Sequence, residues 1–229
     1  MSLILRALKE VIGALSAKKA AARIVDSGRV AAIPLLAELP HLAATSRQIL
    51  KPFYKAYLRE VSNSAWVISF ETACALHGLC TLVKPAAILD LGSGFTSAAF
   101  RFYAKTASHQ CTVHSVDDDS QWLERTRGFL ASKDLSTADL MLWPAFLETS
   151  YSYDLILHDL GNMATREQAL ETALARRATN GLLVLDDMHC EPYASRAQNT
   201  CEMQGCSWFD LRDLTMDSFG RYATLVLAA

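Results

Sequence analysis

The sequence predicts an α/β fold. A mostly parallel seven-stranded sheet with an antiparallel last strand follows an N-terminal helical segment. Three observations carry this. Beyond Lys84-Pro85, short apolar runs alternate with helical patterns, as in a parallel sheet covered on both faces. Before that point apolar residues recur at helical spacing and no strand alternation appears. At the junction, the apolar run 87–91 ends in Gly92-Ser93-Gly94, the strand-to-helix turn of a Rossmann-like unit.

In chain order, Leu5, Leu8, Ile12 and Leu15 predict one helix, and Val30, Ile33, Leu36 and Leu39 another. Gly28, Pro34, Pro40 and Pro52 punctuate this region into several helices. A further helix is expected over 66–82. This divides the chain into an N-terminal lid or interaction segment, 1–65, and a main domain, 66–229. Strands are expected at 87–91, 112–116, 139–142, 154–158, 182–185, 208–211 and 222–227. Thr165 with Gln168 reads as a capping box for a helix reaching Thr179, with Gly181 as its stop. Asp217-Ser218-Phe219-Gly220 is too short for a parallel crossover, so the last two strands should be antiparallel.

Half of the residues are hydrophobic (51%), enough for a substantial core. A net charge of -2 leaves no electrostatic footprint for nucleic acid. No apolar run reaches bilayer length, and Arg6, Lys9 and Glu10 interrupt the apolar start, which lacks a signal-peptide pattern. Cys74, Cys80, Cys111, Cys190, Cys201 and Cys206 include no Cys-x-x-Cys pair, which suits reduced thiols and a cytoplasmic setting. Zinc at Cys190, Cys201 and Cys206 with His158 and His189 is disfavoured, because zinc-ligand spacing is absent.

The loop is built for a ligand. Gly92 and Gly94 free the backbone for close approach. Ser97 stands where a dinucleotide site wants a third glycine, and Asp90 would repel a pyrophosphate but suit a cation. Asp117, at the end of the second expected strand, is placed to accept ribose hydroxyls. Asp118 stays a cofactor candidate beside it, although a solvated loop and helix N-terminus with Ser120 as the cap accounts for this stretch as well.

Ile88-Leu89-Asp90-Leu91-Gly92-Ser93-Gly94 with Val116-Asp117 resembles the first two motifs of class I S-adenosylmethionine-dependent methyltransferases. The resemblance runs from about Trp66 to the C-terminus and includes the antiparallel final strand pair. It implies S-adenosylmethionine over Gly92, Ser93, Gly94 and Ser97, with Asp117 on the ribose. It also points to Trp143 or Ala145 beside the adenine, where many members carry an acid. Ser69 and Glu71 would reach the methionine end or else lie on the helix surface. The aromatic segment of Phe53, Tyr54, Tyr57, Trp66 and Phe70 reads either as helix core or as an acceptor pocket.

The acceptor end should lie at the next two strand ends, His158-Asp159 and Asp186-Asp187-Met188-His189. This arrangement resembles the metal-dependent O-methyltransferases of the catechol, caffeoyl-coenzyme A and macrocin types. It implies magnesium on Asp159, Asp186 and Asp187, an oxygen-donor set that suits a hard cation. Capping and loop orientation are the other use of such acids. Gly161-Asn162-Met163 replaces the lysine base of the catechol type, leaving His158 and His189 as substitutes, or as structural histidines hydrogen-bonded at strand ends, and Asp159 beside them. The expected activity is methyl transfer to a small-molecule hydroxyl. A cofactor-binding module without catalysis is the alternative, and homodimerisation through the N-terminal helices a further expectation.

Overall fold

The computed structural model describes residues 32–227. The helix expected around Leu5, Leu8, Ile12 and Leu15, and the markers Gly28 and Val30, lie outside the described residues. The first described helix, α1 (Ala32–Glu60), runs unbroken through Pro40 and Pro52, where the sequence suggested breaks. Each proline deletes a helical hydrogen bond and costs about 3 kcal/mol. Burial of Leu39, Leu50 and Tyr57 outweighs that cost.

The second helix, α2 (Phe70–Val83), starts later than expected. Ser69 caps it by accepting the Thr72 amide and also donates to the Thr215 carbonyl, so it does not reach towards a ligand. Trp66 sits in the preceding loop, which turns on the Asn63 carbonyl.

The α/β part follows the expected alternation. Its elements are β1 (Ala87–Leu91), α3 (Phe95–Thr106), β2 (Thr112–Asp117), α4 (Ser120–Ser132), β3 (Leu140–Leu142), α5 (Trp143–Leu147) and β4 (Tyr153–His158). Then come α6 (Met163–Ala175), β5 (Arg177–Leu185), α7 (Glu191–Met203), β6 (Ser207–Asp210), α8 (Arg212–Thr215) and β7 (Thr224–Leu227). The strand order is β3-β2-β1-β4-β5-β7-β6, with β7 antiparallel to both neighbours. The last two strands are thus antiparallel as expected, with α8 as well as a turn between them.

Two local readings are corrected. Asn162, not Thr165, caps α6, because its Oδ1 accepts the amides of both Ala164 and Thr165. Gly181 lies inside β5 rather than at a helix stop, and a Cβ there would come within 2.6 Å of the Tyr153 carbonyl.

Alternation along the strands builds two cores. Ile88, Leu155, Leu157 and Leu225 pack under α1, α2 and α3, while Leu89, Leu91, Ile156 and Leu183 pack under α6 and α7. Strand order reverses between β1 and β4, so the crevice at their carboxyl ends is the natural ligand site. No helix among the described residues is long and apolar enough to cross a membrane.

Because Leu50 is fully buried in the core that carries Ile88 and Leu155, Leu50→Ala should cost about 2–5 kcal/mol. Urea denaturation should show this as a lower midpoint of a single transition. An unchanged midpoint would place α1 outside the cooperative unit.

Candidate active site

The cavity at this crevice has a volume of about 660 Å³. Its floor is the turn after β1. Gly92 has φ +98°, and a Cβ there would sit 2.3 Å from the Asp159 carbonyl oxygen. The glycine is thus required by the close approach of the chain leaving β4, whose Asp159 amide donates to the Leu91 carbonyl at 2.8 Å. The next residue, Ser93, donates its amide and hydroxyl to Asp117 Oδ2, at 2.8 and 2.7 Å. Asp117 Oδ1 accepts the Asp119 amide. Asp117 therefore fastens the loop while facing the cavity, and burial holds its carboxyl above the ordinary range. Gly92, Ser93, Gly94, Asp117 and Asp118 all line the cavity.

Other expected cofactor residues lie elsewhere. Asp90 is fully buried beneath the loop, with its oxygens taken by the hydroxyls of Thr96, Ser97 and Ser115. It supports the loop instead of meeting a ligand. Ser97 shares that role and accepts the Gly94 amide. Glu71 is turned to α1, where it pairs with Arg47 at 2.7 Å. The Trp143 indole stacks on Phe146, and neither it nor Ala145 lines the cavity. The reason is local: Pro144 starts α5 at Trp143, which turns this segment away.

The expected acceptor end brings Asp159, Asp186 and Asp187 together, with an oxygen from each within 4.8 Å of the others. Among the described residues this is the one His/Cys/Asp/Glu group close enough to hold an ion, so the zinc reading has no support. A residue that the sequence did not single out enters the group. Arg166, on the second turn of α6, forms ion pairs with Asp159 and with Asp187, the latter at 2.8 Å. Burial and the neighbouring carboxylates push the Asp159 and Asp186 carboxyls up. Asp186 Oδ1 is buried without a partner.

The two histidines separate. His158 is fully buried, and its Nε2 donates to the Arg166 carbonyl at 2.8 Å. Burial lowers its pKa to about 4, so the ring is neutral and structural. It does not line the cavity and is not a base for an acceptor. His189 does line the cavity, with Nδ1 3.6 Å from Asp187 Oδ1 and Nε2 3.6 Å from Cys190 Sγ.

Two further residues, Trp122 and Arg221, escaped the sequence reading, and a third was placed only as helix core or acceptor pocket. Tyr57, read only as part of an aromatic segment, brings a buried, unpartnered hydroxyl to the cavity wall opposite Gly94. Trp122 donates its indole N–H to the Ser93 carbonyl at 2.6 Å. Arg221 donates to the carbonyls of Ser64, Ala65 and Val67 while paired with Asp217, and so ties the loop carrying Trp66 to the C-terminal turn. A buried tyrosine and two long-range ties have no local signature.

The His158 assignment has a pH consequence. An unfolded histidine takes its proton near pH 6.5, and the folded one only near pH 4. Its share of stability is therefore present above pH 6.5 and lost as the pH falls towards 4. His158→Gln keeps an N–H donor and does not titrate. Urea titrations should show wild type losing ground against this variant below pH 6.5, by about 3 kcal/mol at pH 4. A pH-independent difference would refute the buried neutral ring.

No protein-family model and no curated protein matches the chain. Solved structures do. The O-methyltransferase TomG from Streptomyces achromogenes, involved in tomaymycin synthesis and in complex with SAM, aligns with TM-score 0.55 and 15% identity, covering 82% of this chain and 89% of that one. An O-methyltransferase from Bacillus cereus in complex with SAH aligns with TM-score 0.56 and 15% identity, over 81% and 91%. Cofactor-bound Rv0187 from MTB aligns with TM-score 0.55 and 17% identity, over 91% and 95%. At this identity the likeness establishes the fold: the chain has the seven-stranded Rossmann-like architecture of these structures.

Proposed function

We propose that the protein transfers a methyl group from S-adenosylmethionine to a hydroxyl of a small-molecule acceptor. The observation that carries this is the cavity itself. A glycine turn and the β2-end carboxylate of Asp117 line one end, and an imidazole beside a carboxylate lines the other. The donor end fits the cofactor by its own chemistry. Asp117 Oδ1 accepts one amide and keeps a free lone pair for a ribose hydroxyl. Tyr57 offers a buried hydroxyl that lacks a partner. Gly94 leaves the wall between them open.

When bound, S-adenosylmethionine supplies a methyl on a sulfonium, which departs as a neutral thioether. What remains for the chain is to orient the acceptor, take its proton and exclude water. His189 is the residue placed to take that proton. Asp187 faces Nδ1 and favours the tautomer with the proton there, leaving Nε2 as the acceptor. The weak Cys190 contact at Nε2 yields to a hydroxyl. Trp66, 80% exposed at the rim, and Met163 offer apolar surface to an acceptor.

Calorimetry with S-adenosylhomocysteine tests the donor end. Asp117→Ala should weaken binding by about tenfold or more, since a hydrogen bond to a charged group is worth roughly 1.5–3 kcal/mol. Undetectable binding by the wild-type protein would sink the proposal. Gly92 substitutions are no substitute for this test, because a side chain there collides with the Asp159 backbone and unsettles the fold itself.

A methyl-transfer screen over small hydroxyl compounds tests the acceptor end. His189→Gln should lower kcat by roughly 10²–10⁴-fold and leave S-adenosylhomocysteine affinity near wild type. Tight cofactor binding with no transfer to any acceptor would favour a binding module over an enzyme.

A further inference from the structure

The acid triad at the acceptor end has the composition of a magnesium site, and the residues present do not fit that ion. Two of the three carboxylates are already engaged by one guanidinium. Arg166 reaches Asp159 through one terminal nitrogen and Asp187 through the other, and it is itself buried. A cation entering between the aspartates would have to expel this side chain. Arg166 is held from behind as well. Asn162 caps the helix that carries it and accepts its amide, and His158 donates to its carbonyl.

We propose that Arg166 permanently takes the place of a divalent cation, so that the acceptor end is organised without metal. The guanidinium does two things that an ion would do. It compensates the charge of crowded carboxylates, and it fixes where Asp159 and Asp187 point. It does not do the third. With its bridging nitrogens on carboxylates, it offers no open coordination position to bind and acidify a hydroxyl. The task of accepting the proton therefore falls to His189, which Asp187 orients. Arg166 is a positioning residue in this scheme: it anchors Asp187, and Asp187 faces the imidazole.

This catalytic consequence rests on the methyl-transfer reading, whereas the statement about the ion does not. Manganese(II), titrated into the full-length protein and followed by electron paramagnetic resonance, reads it without any turnover. The wild type should leave the free-ion signal undiminished, and magnesium should not move its melting temperature. Arg166→Met, similar in reach but uncharged, should lower the melting temperature by roughly 10 °C near neutral pH, because it strands two partly buried carboxylates beside the buried Asp186. It should then bind manganese and regain stability on addition of magnesium, a rescue that loss of packing alone would not give.

Stoichiometric manganese binding by the wild type, abolished in Asp187→Asn, would overturn the proposal. So would a folded Arg166→Met variant that gains no affinity for the ion. Should that variant fail to fold, the wild-type titration still decides. A wild type that binds manganese leaves the methyl-transfer reading intact, and failure to bind S-adenosylhomocysteine does the reverse.

Discussion

The buried carboxylate of Asp90 is the constraint on which the rest of the site depends. It sits at the end of β1 with no exposure to solvent. An isolated ion there would be prohibitively costly. It is compensated by three hydroxyls, from Thr96 and Ser97 on the first turn of α3 and from Ser115 on β2. Ser115 in turn accepts from Arg101, whose guanidinium also reaches the carbonyls of Val113 and Ala138. One charge thus ties the start of α3 to two strands and to the loop before β3. The turn Gly92-Ser93-Gly94 is stretched between these fixed points, and its conformation follows from them. A carboxylate below a helix N-terminus is also favoured by the helix dipole.

From that base the donor and acceptor ends are built as one object. Gly92 donates its amide to the Val116 carbonyl on one side. On the other, the missing side chain admits the Asp159 backbone, whose own amide returns to Leu91. The same residue carries a carboxylate of the acid triad. No flexible linker separates the two ends of the cavity. A displacement of Arg166 that moves Asp159 would be felt at the glycine turn through backbone contacts of about 3 Å.

What the sequence disclosed follows from which interactions are local. Strands β1 and β4 were legible because each is a short, largely apolar run with a polar residue at or next to its carboxyl end. The acids Asp117, Asp159, Asp186 and Asp187 were legible because a strand end sets where its last side chain lies. The long helix α1 was not, since Pro40 and Pro52 signal breaks and tertiary packing of Leu39, Leu50 and Tyr57 overrules them. Position alone also misled at Asp90 and His158. Both lie at or next to a strand's carboxyl end as ligand-facing residues do, yet the pleat and the following turn bury them among protein partners. Trp143 failed for a related reason, since Pro144 begins a helix where a loop toward the cavity was expected.

Arg166 was the least legible residue and the most consequential. It falls in a helix with several charged positions, where an arginine ordinarily reads as solvent-facing. Its partners lie 7 and 21 residues away, a spacing set by the β4–α6–β5 crossover rather than by any motif. Three carboxylates at successive strand ends pose an electrostatic problem with two physical solutions, a bound ion or a covalently attached cation. An ion brings an open coordination position but must be acquired from solution. An arginine is always present, cannot be deprotonated at ordinary pH, and fixes two carboxylates with one planar group. The second solution gives up Lewis-acid activation, and under the proposed methyl transfer the neighbouring imidazole of His189 would take the proton instead.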